Sequence, residues 1–187
     1  MPVVSDTSPV LNLAIVGHLS LLRQQFGRIW IPPAVIEELR VKDTKGHEKE
    51  EDLPGSRAVR EAIGADWLRV EEVEDHTLVK ILRRDLDGGE AEAIALALQM
   101  KANRVLLDER EGRRVAKSLG LKVTGVLGVL LRAKRLGHLL SLQEAMEQLQ
   151  EQAGFCIGRE LFADVLREGG VRGPEWQDCH RGDGVQE

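Results

Sequence analysis

Asp6 and Asp108 each close a short run of apolar or small residues, Val3-Val4-Ser5 before the first and Val105-Leu106-Leu107 before the second. A strand made from such a run carries its terminal carboxylate out of the core at a defined point. Taken singly, either aspartate is equally well explained as a helix cap; two on separate strands point to a shared edge. Glu38 rides the helix that follows Ile31-Pro32-Pro33, and Glu90 falls in the first turn opened by Gly88-Gly89. A solvated helix glutamate and an acid favoured by the helix dipole are the alternative readings of those two. If the four converge, like charges repel and raise some of the pKa values, and a divalent cation relieves the repulsion. Oxygen donors without His or Cys suit Mg²⁺ or Mn²⁺ better than zinc. Such an ion lowers the pKa of bound water and neutralises charge on a phosphodiester during hydrolysis.

Elements that would position these acids follow from the apolar pattern. Val3 to Asp6 reads as a strand, and Thr7-Ser8-Pro9 supplies a cap and a helix-starting proline. Leu11, Leu13 and Ala14 give the helix an apolar side until Gly17 breaks it, and Ile29-Trp30-Ile31 is a second buried strand. Further strands are expected at Trp67 to Val70, Arg104 to Asp108 and Leu121 to Thr124, with helices at Ser56 to Ala65 and from about His76 to Asp85. Ala91, Ile94, Ala95 and Leu98 recur at helical spacing after Gly89. Short apolar strands alternating with helices predict a parallel sheet covered on both faces. Ligands collect at the carboxyl ends of such strands, near the point where strand order reverses; Asp6 and Asp108 are expected at that edge.

Two helical segments follow at Ser141 to Gln152 and Gly158 to Arg167. Their apolar residues, among them Phe155, Leu161, Phe162 and Val165, predict burial against the core or against a second copy in a homodimer. The charged run Lys42 to Gly55 reads as an exposed, mobile loop, and the aperiodic stretch from Gly169 to Glu187 as a flexible tail. The expected organisation is a domain over 1–140, a helical extension over 141–168 and a tail over 169–187.

A chain of 187 residues with 42% hydrophobic and 30% charged content fits one globular domain with a small appendage. No apolar run approaches the roughly 20 residues of a membrane-spanning helix, and the start lacks a basic leader, so export is not expected. Cys156 and Cys179 have no metal-ligand spacing and suit a reducing cytoplasm. The net charge of −5 argues against bulk attraction to nucleic acid, yet carboxylates at a metal centre lower net charge while local basic patches steer a substrate. Arg110, Arg113 and Arg114 form the best such patch, to be weighed against a plain solvated helix face. The five histidines form no HxH or HExxH pairing, and no P-loop or dinucleotide fingerprint occurs.

The segments V-S-D-T-S-P-V-L-N-L-A (Val4 to Ala14), I-P-P-A-V-I-E-E-L (Ile31 to Leu39), D-G-G-E-A-E-A-I-A-L-A (Asp87 to Ala97) and V-L-L-D-E-R-E-G-R-R-V-A (Val105 to Ala116) together resemble PIN-domain proteins, in particular a VapC-like prokaryotic branch. G-V-L-G-V-L-L (Gly125 to Leu131) and G-F-C-I-G-R-E-L-F (Gly154 to Phe162) resemble that branch's C-terminal extension. The resemblance implies a three-layer α/β/α fold around a mostly parallel five-stranded sheet. It also implies an Mg²⁺- or Mn²⁺-dependent ribonuclease using metal-activated water, often held by a cognate antitoxin. Carried over by position, Asp6, Glu38, Glu90 and Asp108 are the catalytic and metal-binding acids and Ser8 the accompanying hydroxyl. The third acid is commonly Asp in that branch and is Glu here, and Asp108-Glu109 stands where Thr-x-Asp is usual, which makes Glu92 and Glu109 alternative ligands. Glu90 and Glu92 lie about 200° apart around a helix, so only one can face the site. Competing functions are a phosphatase with Asp6 as nucleophile, weakened by Ser8 where a second aspartate is needed, and a non-catalytic module that binds RNA or an antitoxin.

Overall fold

The computed structural model describes residues 1–39 and 54–170. Most of the charged run read as a mobile loop, and the tail beyond residue 170, lie outside the described residues.

Five strands, β1 (Val3–Ser5), β2 (Ile29–Ile31), β3 (Leu68–Val70), β4 (Arg104–Leu106) and β5 (Val123–Thr124), form one parallel sheet in the order β3-β2-β1-β4-β5. The short strands alternate faces with period two. Val3, Ile29, Ile31 and Leu106 enter one apolar cluster, whereas Val4 and Val105 enter another on the opposite face, with Trp30 packed against it. Helices therefore cover both faces, as the fold implied by the resemblance requires.

The first face carries α1 (Thr7–Ile15), α2 (Ser20–Phe26), α4 (Ser56–Gly64) and α8 (Val126–Arg135), and α3 (Pro33–Leu39) adds Val35 to the same cluster. The second carries α5 (His76–Leu82), α6 (Gly88–Gln99) and α7 (Arg110–Ser118). From β1 the chain leaves along α1 on the first face, and from the adjacent β4 it leaves along α7 on the second. That divergence between neighbouring parallel strands opens a crevice at their carboxyl ends, and Asp6 and Asp108 emerge there.

Several elements are shorter than the sequence predicts, for local reasons. Helix α5 ends at Leu82 because the following residues close tight turns, with Arg84 and Asp85 donating to Ile81 and Leu82 carbonyls. Strand β4 stops at Leu106, two residues before Asp108. Strand β5 starts only at Val123, since the Leu121 amide closes the end of α7 on the Ala116 carbonyl. Helices α9 (Leu142–Gln152) and α10 (Arg159–Glu168) bury Leu142, Met146, Leu149, Phe162 and Leu166 in the same cluster as Val3 and Leu106. Phe155 packs partly buried against the same cluster, whereas Leu161 of α10 remains 49% exposed. Among the described residues no helix is long and apolar enough to cross a membrane.

Candidate active site

Asp6 follows β1 directly and is 3% exposed. It sits at the N-cap position of α1 without its side chain capping the helix, which removes the capping alternative for this residue. Its Oδ1 is buried with no hydrogen-bond partner. Burial pushes the Asp6 carboxyl up to about 8, opposed by the Thr7 amide and reinforced by the charges of Asp87, Glu38 and Glu90.

Glu38, an exposed residue of α3, reaches into the same space. Its Oε2 accepts from the Thr7 hydroxyl and its Oε1 from the Gly89 amide at 2.9 Å. The first turn of α6 supplies the gap between these acids. A β-carbon built on Gly89 would lie 2.6 Å from Asp6 Oδ1 and 2.7 Å from Glu38 Oε1, so the two carboxylates face one another across a position that only glycine leaves open.

Glu90 is 4% exposed, and its Oε1 is also buried and unpartnered. Its carboxylate lies over α7 against Gly112, where a β-carbon would come within 2.8 Å of the Glu90 Cδ. Burial, then the charges of Asp87 and Glu109, push it up to about 7. Asp87 caps α6 by accepting from the Glu90 amide at 2.8 Å, and its charge acts on both Asp6 and Glu90. The Asp-x-x-Glu spacing before an apolar helix is a capping signature visible in the sequence, and it is the signal by which Asp87 could have been found.

Asp108 emerges two residues beyond β4, the strand paired with β1. It is half-buried, its Oδ1 accepts from the Val126 amide at 2.7 Å at the start of α8, and its Oδ2 is buried without a partner. Burial pushes it up to about 6 against the Val126 bond, the Arg113 charge and a hydrogen bond from Asn12, with the Glu109 charge reinforcing the rise. Of the four expected acids, Asp6 and Glu38 face one another across Gly89, the Glu90 charge acts on Asp6, and Asp108 emerges at the end of the neighbouring strand. The charge of exposed Glu109 raises both Glu90 and Asp108.

The remaining candidates separate cleanly. Glu92 accepts from the Ala34 amide at 3.0 Å and so caps the start of α3 from the neighbouring helix. Ser8 is half-buried in the first turn of α1, but the hydroxyl that touches a carboxylate is that of its neighbour Thr7. Arg113 is turned inward, donating to the Leu107 carbonyl at 3.0 Å; a β-carbon on Gly125 would lie 2.6 Å from its Nη1 and 2.7 Å from Asp108 Oδ1. Arg114 pairs with Glu111 on the surface, and Arg110 is exposed. Asn12 escaped notice because one polar residue on an apolar helix face gives no signal of its own until the fold brings Asp108 beside it.

A search of curated proteins finds no match to this chain. A family model described as PIN domain matches residues 2–170, which takes in the sheet, the acid cluster and the C-terminal helices. With that match and a five-stranded parallel sheet between two helical layers, the chain belongs to the PIN-domain family.

Proposed function

We propose that this chain is a divalent-metal-dependent ribonuclease that hydrolyses RNA phosphodiesters at the crevice beyond β1 and β4. Proteins of the PIN-domain family are in general nucleases that use divalent metal ions. The observation that carries the reading for this chain is the Asp6–Glu38 pair facing across Gly89, with Asp6 Oδ1 buried and unpartnered. Among the described residues no set of three or more His, Cys, Asp or Glu side chains is gathered closely enough to cage an ion. A pair of carboxylates nevertheless fits Mg²⁺, which is commonly bound by one or two carboxylates with waters and substrate phosphate completing the shell.

Asp6 and Glu38 would hold the ion, with Glu90 beside them. When bound, it would neutralise charge on the phosphodiester and make water a better nucleophile. The chain's own contribution is preorganisation. Thr7 and the Gly89 amide hold both Glu38 oxygens, Asp87 fixes the α6 turn that presents Glu90, and Val126 and Arg113 hold Asp108. Asp108, whose carboxyl burial pushes up to about 6, would be close to half protonated near that pH and could give up or take a proton at the crevice.

The test is cleavage of a labelled single-stranded RNA with Mg²⁺ or Mn²⁺ against EDTA, in wild type, Asp6→Asn and Glu38→Gln. Metal-dependent cleavage lost in both variants is expected; cleavage unchanged in either overturns the assignment. A toxin role with a cognate antitoxin rests on the VapC-like resemblance, and is tested by growth arrest on induction and rescue by the product of the neighbouring reading frame. The non-catalytic alternative draws on Asp108, whose Oδ1 is already engaged by Val126. Tight RNA binding without cleavage in either metal would favour it.

A further inference from the structure

A groove of about 810 Å³ begins at Asp108 and runs along the β5 edge of the sheet between α7 and the C-terminal helices. Its size lies within the roughly 300–1,000 Å³ of sites that enclose a ligand of several hundred daltons. One wall is cationic. Arg110, Arg113, Arg114 and Lys117 all line it, at the i, i+3, i+4 and i+7 positions that form one stripe of α7. At a rise of 1.5 Å per residue that stripe is about 10 Å long. Arg110, Arg114 and Lys117 are exposed. The Glu111 partner of Arg114 is itself a surface residue, and such pairs hold their charges weakly.

The opposite wall is apolar. Leu127 and Leu131 of α8 and the half-buried Phe155 between α9 and α10 face the groove, with Cys156 at its rim. Glu168 is the acid at the far end. This wall is built largely by the C-terminal helices, so it belongs to the chain beyond the sheet.

We propose that this groove holds a single RNA strand as it leaves the crevice, with phosphates on the α7 stripe and one base stacked on Phe155. The inference rests on the nuclease reading and extends it: the C-terminal helices create a subsite a short distance from the reacting bond. A cationic track beside an aromatic face is the recognition chemistry of single strands, whose phosphates are continuous and whose bases all present a π-face. A duplex buries its base faces, which leaves Phe155 without a partner.

The experiment uses the full chain in EDTA with a fluorescent twelve-nucleotide oligouridine, so binding is read without cleavage. Affinity is measured by anisotropy at several salt concentrations for wild type, Arg110→Glu/Lys117→Glu and Phe155→Ala. Independently, alkylation of Cys156 by iodoacetamide is followed by peptide mass spectrometry, which separates it from Cys179. The double reversal is expected to weaken binding at least tenfold and to reduce the log–log salt slope by about 1.4, the value for two single-strand phosphate contacts. Phe155→Ala is expected to weaken it about tenfold, and saturating oligouridine to slow Cys156 alkylation severalfold. Full affinity in the double variant, or an alkylation rate indifferent to RNA, overturns the proposal. Protection of Cys156 by RNA with no cleavage in Mg²⁺ or Mn²⁺ would sustain the groove and sink the nuclease reading. Cleavage with no groove dependence would do the reverse.

Discussion

The most quantitative consequence of the acid cluster is its effect on stability without metal. Asp6 is pushed from an ordinary value of 3.8 up to about 8 in the folded chain. Between those two pH values the native state keeps a proton that the unfolded chain has released, so stability is fully present at low pH and falls as pH rises, levelling off above about 8. The slope for one such group is about 1.4 kcal/mol per pH unit. From pH 5 to pH 7.5 Asp6 alone should therefore remove on the order of 3 kcal/mol, a large part of the roughly 5–15 kcal/mol of a typical domain. At this chain length that corresponds to a melting temperature lower by roughly 6–12 °C. Glu90, pushed up to about 7, and Asp108, pushed up to about 6, act in the same direction over windows that close earlier. The perturbation is Asp6→Asn, which keeps the shape of the protonated acid and removes its titration. Urea denaturation in EDTA at pH 5, 6, 7 and 7.5 should give a wild-type stability that falls more steeply than the variant's, by about one proton's slope. Parallel lines for the two proteins would show that Asp6 is not held protonated by its surroundings, and the reasoning from its buried, unpartnered oxygen would fail.

Metal should reverse this trend: millimolar Mg²⁺ or Mn²⁺ is expected to raise the wild-type melting temperature at pH 7.5. A hundredfold excess over Kd contributes about 2.7 kcal/mol, and a response that persists intact in Asp6→Asn would refute the site. Gly89→Ala puts a β-carbon between Asp6 and Glu38, so RNA cleavage is expected to fall more than tenfold although alanine is the better helix former; unchanged cleavage would show that the acids do not work across that gap. Glu90→Gln should abolish cleavage, whereas Glu92→Ala, which frees the Ala34 amide, should cost about 0.5–2 kcal/mol of stability and leave cleavage in place. The reverse pattern in kinetics and denaturation would exchange their roles. Thr7→Val, nearly isosteric, removes the hydroxyl that holds Glu38 and is expected to slow cleavage severalfold at constant stability; wild-type rates would make Thr7 a bystander.

The parallel sheet and its two helical layers were legible because strands such as Val3-Val4 and Val105-Leu106-Leu107 are continuously apolar and are followed by helical periodicity. Asp6 and Asp108 were legible as strand-end acids for the same reason. The partners of Asp108 were not: periodicity places both acids at one edge, but the Val126 amide that engages Asp108 and the Arg113 that turns inward beside it belong to helices rather than to the strand. Glu92 as a cap of α3 was hidden as well, since its partner amide at Ala34 is remote in sequence and belongs to another helix. Thr7 lay beside Ser8 in the same motif, and one residue of register on α1 decides which hydroxyl meets Glu38. Strand ends were set by neighbouring turns, as at Leu121, which no run of apolar residues announces.

The sheet order bears on synthesis of the chain. Strand β1 is made first, yet its neighbour β4 starts at Arg104 and the helices that share its cluster, α9 and α10, come later still. At about 5–20 residues per second, something like 5–20 s pass between translation of β1 and of β4. During that interval Asp6 has no crevice, Glu90 has no Gly112 to lie against, and the apolar face of β1 has only part of its cover. A ribosome-bound chain therefore carries no assembled centre until most of its length has emerged, so the proposed cleavage would have to wait for a nearly complete chain.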